Sequence, residues 1–355
     1  MKGTMLRRAL LSGLCLLAMG QSAWATRLDT LFQADAPATG RDAAGRQAAL
    51  GQALATVLIR ITGDKTVTSN EATQALLREP GRFVSQFRFN EMQAEVRGEA
   101  PELRLWAQFD EVALTRELRN LGLPYWGRDR PDVLVWLAVD DQSDRFLVSD
   151  TSLNPLVSEL RAAAQQHGLP VSLPLMDLED QQAVTFSDLW GGFLGTVQQA
   201  SERYRPQVVL VGRVERSRSG WSGQWSMLGA GARQNWTAHA ASAEDVIQAG
   251  LSETAGLLAT QYAVVASDQT SRLVSVQGIR KLRDYAKVQR YLASLSPVEQ
   301  VQVAMVADDE VQFSLRLNTS EQSLMRLIRL GRVLEPMSAG NAELPDASWQ
   351  FRLSQ

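Results

Sequence analysis

The sequence predicts a multi-domain α+β chain, with a central β-α-β-α-β-β-β-α unit followed by a ferredoxin-like βαββα unit. Three observations predict it. Within Tyr204 to Trp225, the run Val208 to Val211 is apolar without alternation and so needs cover on both faces, and Pro206 opens it without the loss of a ladder bond. Val133 to Val139 is a matching run, and the helix-spaced stretch from Asn154 to Gly168 leads from it to Val171–Leu175, a unit expected to be parallel and right-handed. After Leu273 the chain reads strand, helix, strand, strand, helix.

In chain order, residues 1–25 carry Lys2, Arg7 and Arg8, then the apolar run Ala9 to Met19, then Ala23-Trp24-Ala25. That is the order of a secretory signal peptide, too short to span a bilayer, with cleavage expected after Ala25. Leu14 stands before Cys15 where lipidation needs a small residue. An N-terminal α+β domain is expected over 26–127. Its first helix runs from Arg41 to Ile61 with Ala48, Leu50, Leu54, Val57, Leu58 and Ile61 inward, and Thr62-Gly63-Asp64 stops it. A short helix over Asn70–Arg78 follows, then a hairpin of Phe89–Val96 with Leu103–Phe109. Asp110 caps a further helix with Val112, Leu114, Leu118 and Leu121 inward, closed by Gly122 and Pro124. Tyr125 to Pro131 is a linker candidate.

The central domain is expected over 130–265. Beyond the elements already given, it has a helix around Leu189–Tyr204. Ser219-Gly220 turns the strand back into a half-buried partner bearing Trp221, Gly223 and Trp225 on one side. A strand around Ala232–Ala238 and a helix from Ser242 to Tyr262 complete the unit. Ala266 to Ser271 is the second linker candidate. The C-terminal domain, 272–355, places strands at Leu273–Val276, Glu299–Val306 and Val311–Leu317. Its helices are at Arg283–Leu295 and Thr319–Leu330, and Trp349–Leu353 is expected as the last strand of the ferredoxin-like series.

Composition narrows the function. The formal charge is −3, and removal of Lys2, Arg7 and Arg8 with the leader takes it to −6, which argues against nucleic acid as a partner. Cys15 is the one cysteine, so the exported chain has no disulfide or thiolate site. No cofactor motif is present and none is expected. His167 and His239 have no nucleophile at a recognisable spacing, and Ser222 lies in a strand, not a nucleophile elbow. Gly63 to Thr66 lacks the first glycine of a phosphate loop and reads as a helix cap. Asp188 to Phe193 reads as a tight helix start and not an anion site. Trp221, Trp225 and Trp236 read as core and not a sugar platform.

Two surfaces remain. Asp140 and Asp141 follow one strand and Asp177 and Asp180 follow its expected parallel neighbour, so the four are candidate divalent-cation ligands at the carboxyl edge of the sheet. Arg280, Arg283, Lys287 and Arg290 recur along one C-terminal helix, and Arg326, Arg329 and Arg332 along the other. If both helices cover one side of the sheet, these rows make a positive face for an acidic envelope partner or an anionic lipid surface.

The phrases Arg130 to Asp141, Gly168 to Asp180 and Arg203 to Val214 resemble those of a secreted proteobacterial family known as a domain of unknown function (number two thousand and sixty-six). The resemblance implies export and carries no catalytic residue. The strand order of the middle unit is similar to the small α/β domain of TolB and of curli-secretion proteins, a likeness of fold. The expectation is therefore a periplasmic, non-enzymatic accessory or scaffold protein of the Gram-negative envelope that acts through protein contacts. The alternative is a metal-dependent hydrolase or small-ligand binder that uses the acidic edge.

Overall fold

The computed structural model describes residues 28, 30–92, 101–265, 270–319, 321–331, 333–337 and 349–354. The leader with its cleavage site, Val96, residues 266–269 of the second linker candidate and Arg332 lie outside them. The chain is a mixed α+β protein built on three separate sheets.

The first sheet carries β1 (Gln33–Pro37), α1 (Ala43–Thr62), α2 (Glu71–Arg78), β2 (Val84–Met92), β3 (Glu102–Phe109) and α3 (Glu111–Asn120), with antiparallel strands in the order β1-β3-β2. Capping chemistry sets the ends of α1. Asp42 accepts the Gly45 N–H at 2.6 Å, and Gly63, at φ 69°, returns its N–H to the Ile59 carbonyl at 2.8 Å. The stripe Ala49, Leu50, Leu54, Val57, Leu58 and Ile61 packs on the sheet, so Ala49 takes the inward place expected for Ala48. Leu114 and Leu118 of α3 are buried, whereas Val112 is 61% exposed, because Asp110 starts the helix with that position outward. β1 has no apolar run to announce it. Only the small Ala34 and Ala36 face the core, against β3.

The central sheet holds β4 (Val133–Asp140), β5 (Arg145–Val148), α4 (Pro155–His167), β6 (Val171–Ser172), α5 (Leu178–Ala183), α6 (Phe186–Gly191), α7 (Leu194–Ser201), β7 (Val208–Ser217), β8 (Gly220–Leu228), β9 (Gln234–Ala240) and α8 (Ala243–Tyr262). Strand order is β5-β4-β7-β8-β9, with β6 also beside β4. β4 and β7 are parallel and in register from Val133↔Val208 to Asp140↔Glu215. Both faces are covered, as their unbroken apolar runs require. α4 and α8 join Val133, Val135, Val208 and Leu210 on one side, while Leu189 and Val197 of α6 and α7 meet Trp136, Val209 and Val211 on the other. The single helix expected over Leu189–Tyr204 is broken, because a Thr185–Asp188 capping box starts α6 and Gly192, at φ 72°, ends it. The glycines of Asp188 to Phe193 therefore mark the end of a helix and not its start.

β8 carries Trp225 into the core, 1% exposed, and Trp221 and Trp236 pack partly buried against the same cluster. Three glycines shape the Trp225 slot. A Cβ on Gly212 would stand 2.5 Å from its ring, one on Gly223 2.9 Å from its Nε1, and one on Gly250 of α8 2.2 Å from its Cε2.

The third sheet is formed by β10 (Thr270–Gln277), α9 (Leu282–Ser294), β11 (Val298–Ala307), β12 (Glu310–Leu317), α10 (Glu321–Leu330), β13 (Leu334–Pro336) and β14 (Trp349–Leu353), in the order β11-β12-β10-β14-β13. The βαββα series is present, but Trp349–Leu353 does not complete it in the ordinary antiparallel way. β13 runs antiparallel at the outer edge, the chain reverses, and β14 slots between β13 and β10 parallel to β10, Gln277 lying opposite Arg352. Val288, Leu292, Leu324, Leu327 and Ile328 place both helices on one core, and the Tyr291 hydroxyl of α9 donates to the Leu327 and Ile328 carbonyls of α10.

Tyr125 to Pro131, the first linker candidate, is a buried junction. Tyr125 and Val264 exchange backbone hydrogen bonds, the Trp126 N–H donates to the Ile61 carbonyl at 2.7 Å, and Trp126 and Arg130 are both 0% exposed. The Arg130 guanidinium stacks on Trp126, Cζ 3.9 Å from the ring centre. It donates five hydrogen bonds, to the carbonyls of Gly127, His167, Gly168, Arg60 and Trp126. Arg60 of α1 is also buried and donates to the Thr30, Leu31, Gln33 and Gln166 carbonyls. Two guanidinium groups thus tie the end of α1 to the end of α4, where backbone carbonyls carry partial negative charge.

Beside them, burial and then the Arg60 charge push the His167 imidazole down to about 4. Between about pH 4 and the unfolded value near 6.5, the unfolded chain binds a proton that the folded one does not, so stability falls as pH drops through this window. The unfolding free energy is expected to fall by about 2 kcal/mol from pH 7 to pH 4.5 on this account. Thermal unfolding across that range should show a shallower slope in His167→Asn than in the parent.

Candidate functional site

The acidic edge does not assemble. On the flank of β4 away from β7, β6 pairs only with Val133 and Leu134, and β5 occupies the rest from Leu137 to Asp140. β6 therefore stops after two residues, and the chain leaves the sheet before Asp177. Asp140 and Asp141 stay at the carboxyl end of β4. Asp140 pairs with Arg145 at 2.8 Å, and Asp141 accepts from the Ser143 hydroxyl and the backbone of Ser143 and Asp144, bonds that lower its pKa. The shallow cleft there is lined by Asp140, Asp144, Arg145, Glu215 and Arg216, without Asp177 or Asp180.

Asp177 and Asp180 are bound within the protein, apart from Asp140 and Asp141. Asp177 caps α5 and forms a two-pronged pair with Arg203 at 2.8 Å, which holds its carboxyl down at about 2. Asp180 is 0% exposed and accepts from the Met176 N–H, the Tyr204 hydroxyl and Arg203 Nη1. Burial, then that bond to Asp180, raises the Tyr204 phenol to about 12. Among the described residues no group of three or more His, Cys, Asp and Glu side chains is placed to hold a metal ion. A smaller cleft of about 250 Å³ beside α3 contains Glu111, already bound by Arg128 and the Tyr125 hydroxyl.

The basic residues divide. Arg280, Arg283, Lys287 and Arg290 line one groove of about 910 Å³ at the start of α9, while Arg326 and Arg329, exposed on α10, are not part of it. The groove lies at the carboxyl ends of the parallel pair β10 and β14, and it is completed by Lys281 and by Arg352 of β14. Six cations thus face two acids. Asp284 accepts the backbone N–H groups of Arg280 and Lys281 as the cap of α9, and Asp309 lies 3.8 Å from Arg280. Lys287 reaches the Ser354 carbonyl at 3.4 Å. Leu282, between Lys281 and Arg283, is 82% exposed. Arg352 could not be assigned to this site from spacing, since its place depends on which strand β14 chooses as neighbour.

With this architecture in view, the chain is a three-sheet α+β protein. Its residues 25–127 match a family described as a domain of unknown function (DUF8605). The matched stretch covers the first sheet and ends within the Trp126 junction, so the basic groove lies outside it. No curated protein and no solved structure matches the chain. Among the described residues no helix is long and apolar enough to cross a membrane.

Proposed function

We propose that this is a periplasmic accessory or scaffold protein of the Gram-negative envelope, exported by the cleaved leader and acting through contacts with other proteins, not through catalysis. One observation carries the reading: the acids that a metal or a substrate would use are committed to the protein's own structure, Asp177 and Asp180 to Arg203 and Tyr204, and Asp140 to Arg145. The buried, multiply hydrogen-bonded junction of Arg60 and Arg130 supports it, since a scaffold must hold its surfaces in a constant relation. The likeness of three phrases between Arg130 and Val214 to the secreted family numbered two thousand and sixty-six, and of the central unit to the TolB-type domain, supports the location.

The alternative, a hydrolase or small-ligand binder on the acidic edge, makes opposite predictions. In thermal-shift titrations with magnesium, calcium and zinc, the melting temperature is expected to stay constant, because a ligand that binds only the folded state must raise it. Asp140→Asn with Asp141→Asn is expected to change stability by no more than about 0.5 kcal/mol. Asp180→Asn, which breaks a buried charge-assisted cluster, is expected to cost about 3 kcal/mol. A cation-induced rise that the Asp140→Asn, Asp141→Asn variant loses would establish the alternative. Crosslinking in intact cells tests the scaffold reading itself, which fails if no envelope protein is captured.

A further inference from the structure

We propose that the groove at the start of α9 is the docking site for an acidic, extended segment of a partner protein, its carboxylates received by Arg280, Arg283, Lys287, Arg290 and Arg352 and an apolar side chain by Leu282. This rests on the scaffold reading and names the chemistry of the contact. The whole chain is acidic, with a formal charge of −3, yet this one groove gathers six cations against two acids, and with Asp309 3.8 Å from Arg280 and Asp284 3.6 Å from Arg283 an excess of four positive charges remains. Ordinary solvation of a helix spreads its charges outward, whereas here a helix and a strand end converge on one concavity.

Arg283 to Arg290 spans about 10 Å along the axis of α9, the reach of about three residues of extended chain, and Arg280, just before the helix, lengthens the row. Arg352, opposite Gln277 in the β10–β14 register, also lines the groove, so a segment laid there meets cations from a strand end as well as from the helix. The cations come from both a helix and a strand end around one concavity, and that concavity favours a narrow peptide segment over a planar lipid surface. Arginine forks add direction, since each can receive a carboxylate through two parallel hydrogen bonds. Leu282, 82% exposed and next in sequence to the groove residues Lys281 and Arg283, offers an apolar contact beside the acids.

The probe is a fluorescein-labelled peptide of alternating glutamate and leucine, titrated with the full exported chain and followed by anisotropy. Binding is expected, weakening as salt rises. Arg283→Glu with Arg352→Glu is expected to weaken it by about tenfold or more, the result of two attractive charges made repulsive. Arg326→Glu with Arg329→Glu, outside the groove, is expected to leave it unchanged. Melting temperatures accompany each variant, and Arg280→Glu with Arg290→Glu replaces the first pair should that pair fail to fold. Absence of peptide binding, equal loss from the α10 pair, or no loss from either groove pair overturns the proposal. Co-sedimentation with phosphatidylglycerol vesicles without peptide binding also overturns it, in favour of a lipid surface. None of these outcomes bears on the scaffold reading, which stands or falls on whether crosslinkers placed elsewhere on the surface capture an envelope protein.

Discussion

Replacement of Arg130 by alanine is expected to lower the unfolding free energy by about 4 kcal/mol, at the upper end of what single substitutions do. Five carbonyl groups lose their donor at once in a site without solvent access. Removal of the charge offsets part of this, because burial of a guanidinium is costly and among the described residues no carboxylate pairs with it. The offset is limited, since the ends of α1 and α4 direct partial negative charge at it and the Trp126 face lies 3.9 Å away. Arg130→Lys is expected to be no milder, because an ammonium keeps the burial cost while its three donors cannot serve five acceptors. Urea unfolding followed by tryptophan fluorescence measures both variants. A loss below about 1 kcal/mol in Arg130→Ala would show that the junction is held by Trp126 and the surrounding backbone alone.

The Trp225 slot gives the second large effect. Trp225→Ala is expected to cost about 3 to 5 kcal/mol through lost burial and the cavity left behind. Gly250→Val is expected to cost about 3 kcal/mol for the opposite reason, since its Cβ would stand 2.2 Å from the indole. The two defects are complementary. In the double variant the valine refills space the indole has vacated, so the combined loss is expected to fall short of the sum by about 1 to 3 kcal/mol. Simple additivity in thermal or urea unfolding would mean that α8 moves away from β8 instead of closing on it.

Much of the fold was legible because its signals act within a turn or along a strand. Asp110, Asn154 and Ser242 accept backbone N–H groups two or three residues on, and Gly63 and Gly168 close their helices in left-handed geometry. The runs at Val133 and Val208 needed cover on both faces wherever the helices came from, and they have it. β1 was illegible because a strand that buries two alanines shows almost no periodic contrast. The Tyr125–Pro131 segment was misread because glycine, proline and charge suggest a linker, although two large aromatics within seven residues also argue for burial. The rows of basic residues were legible as rows, and their division between a groove and an open helix face was not.

By itself, then, the sequence determined the kinds of element, most of their ends, the two strands at the heart of the central sheet that need cover on both faces and the want of any known catalytic spacing, whereas it placed Val171–Leu175, not Val208–Ser217, as the long parallel partner of Val133–Asp140. The tertiary structure alone decided three things: that β5 displaces β6 and scatters the four aspartates, that Arg60 and Arg130 lock the first unit to the second, and that β14 enters parallel to β10 and brings Arg352 to the α9 groove. The physical reason is range. A cap or an alternating strand is set by hydrogen bonds and burial among residues a few positions apart, whereas Arg60 meets Gln166 across 106 positions of chain. Which carbonyl or strand edge answers such a distant group depends on what already occupies the space, and only the assembled core specifies that.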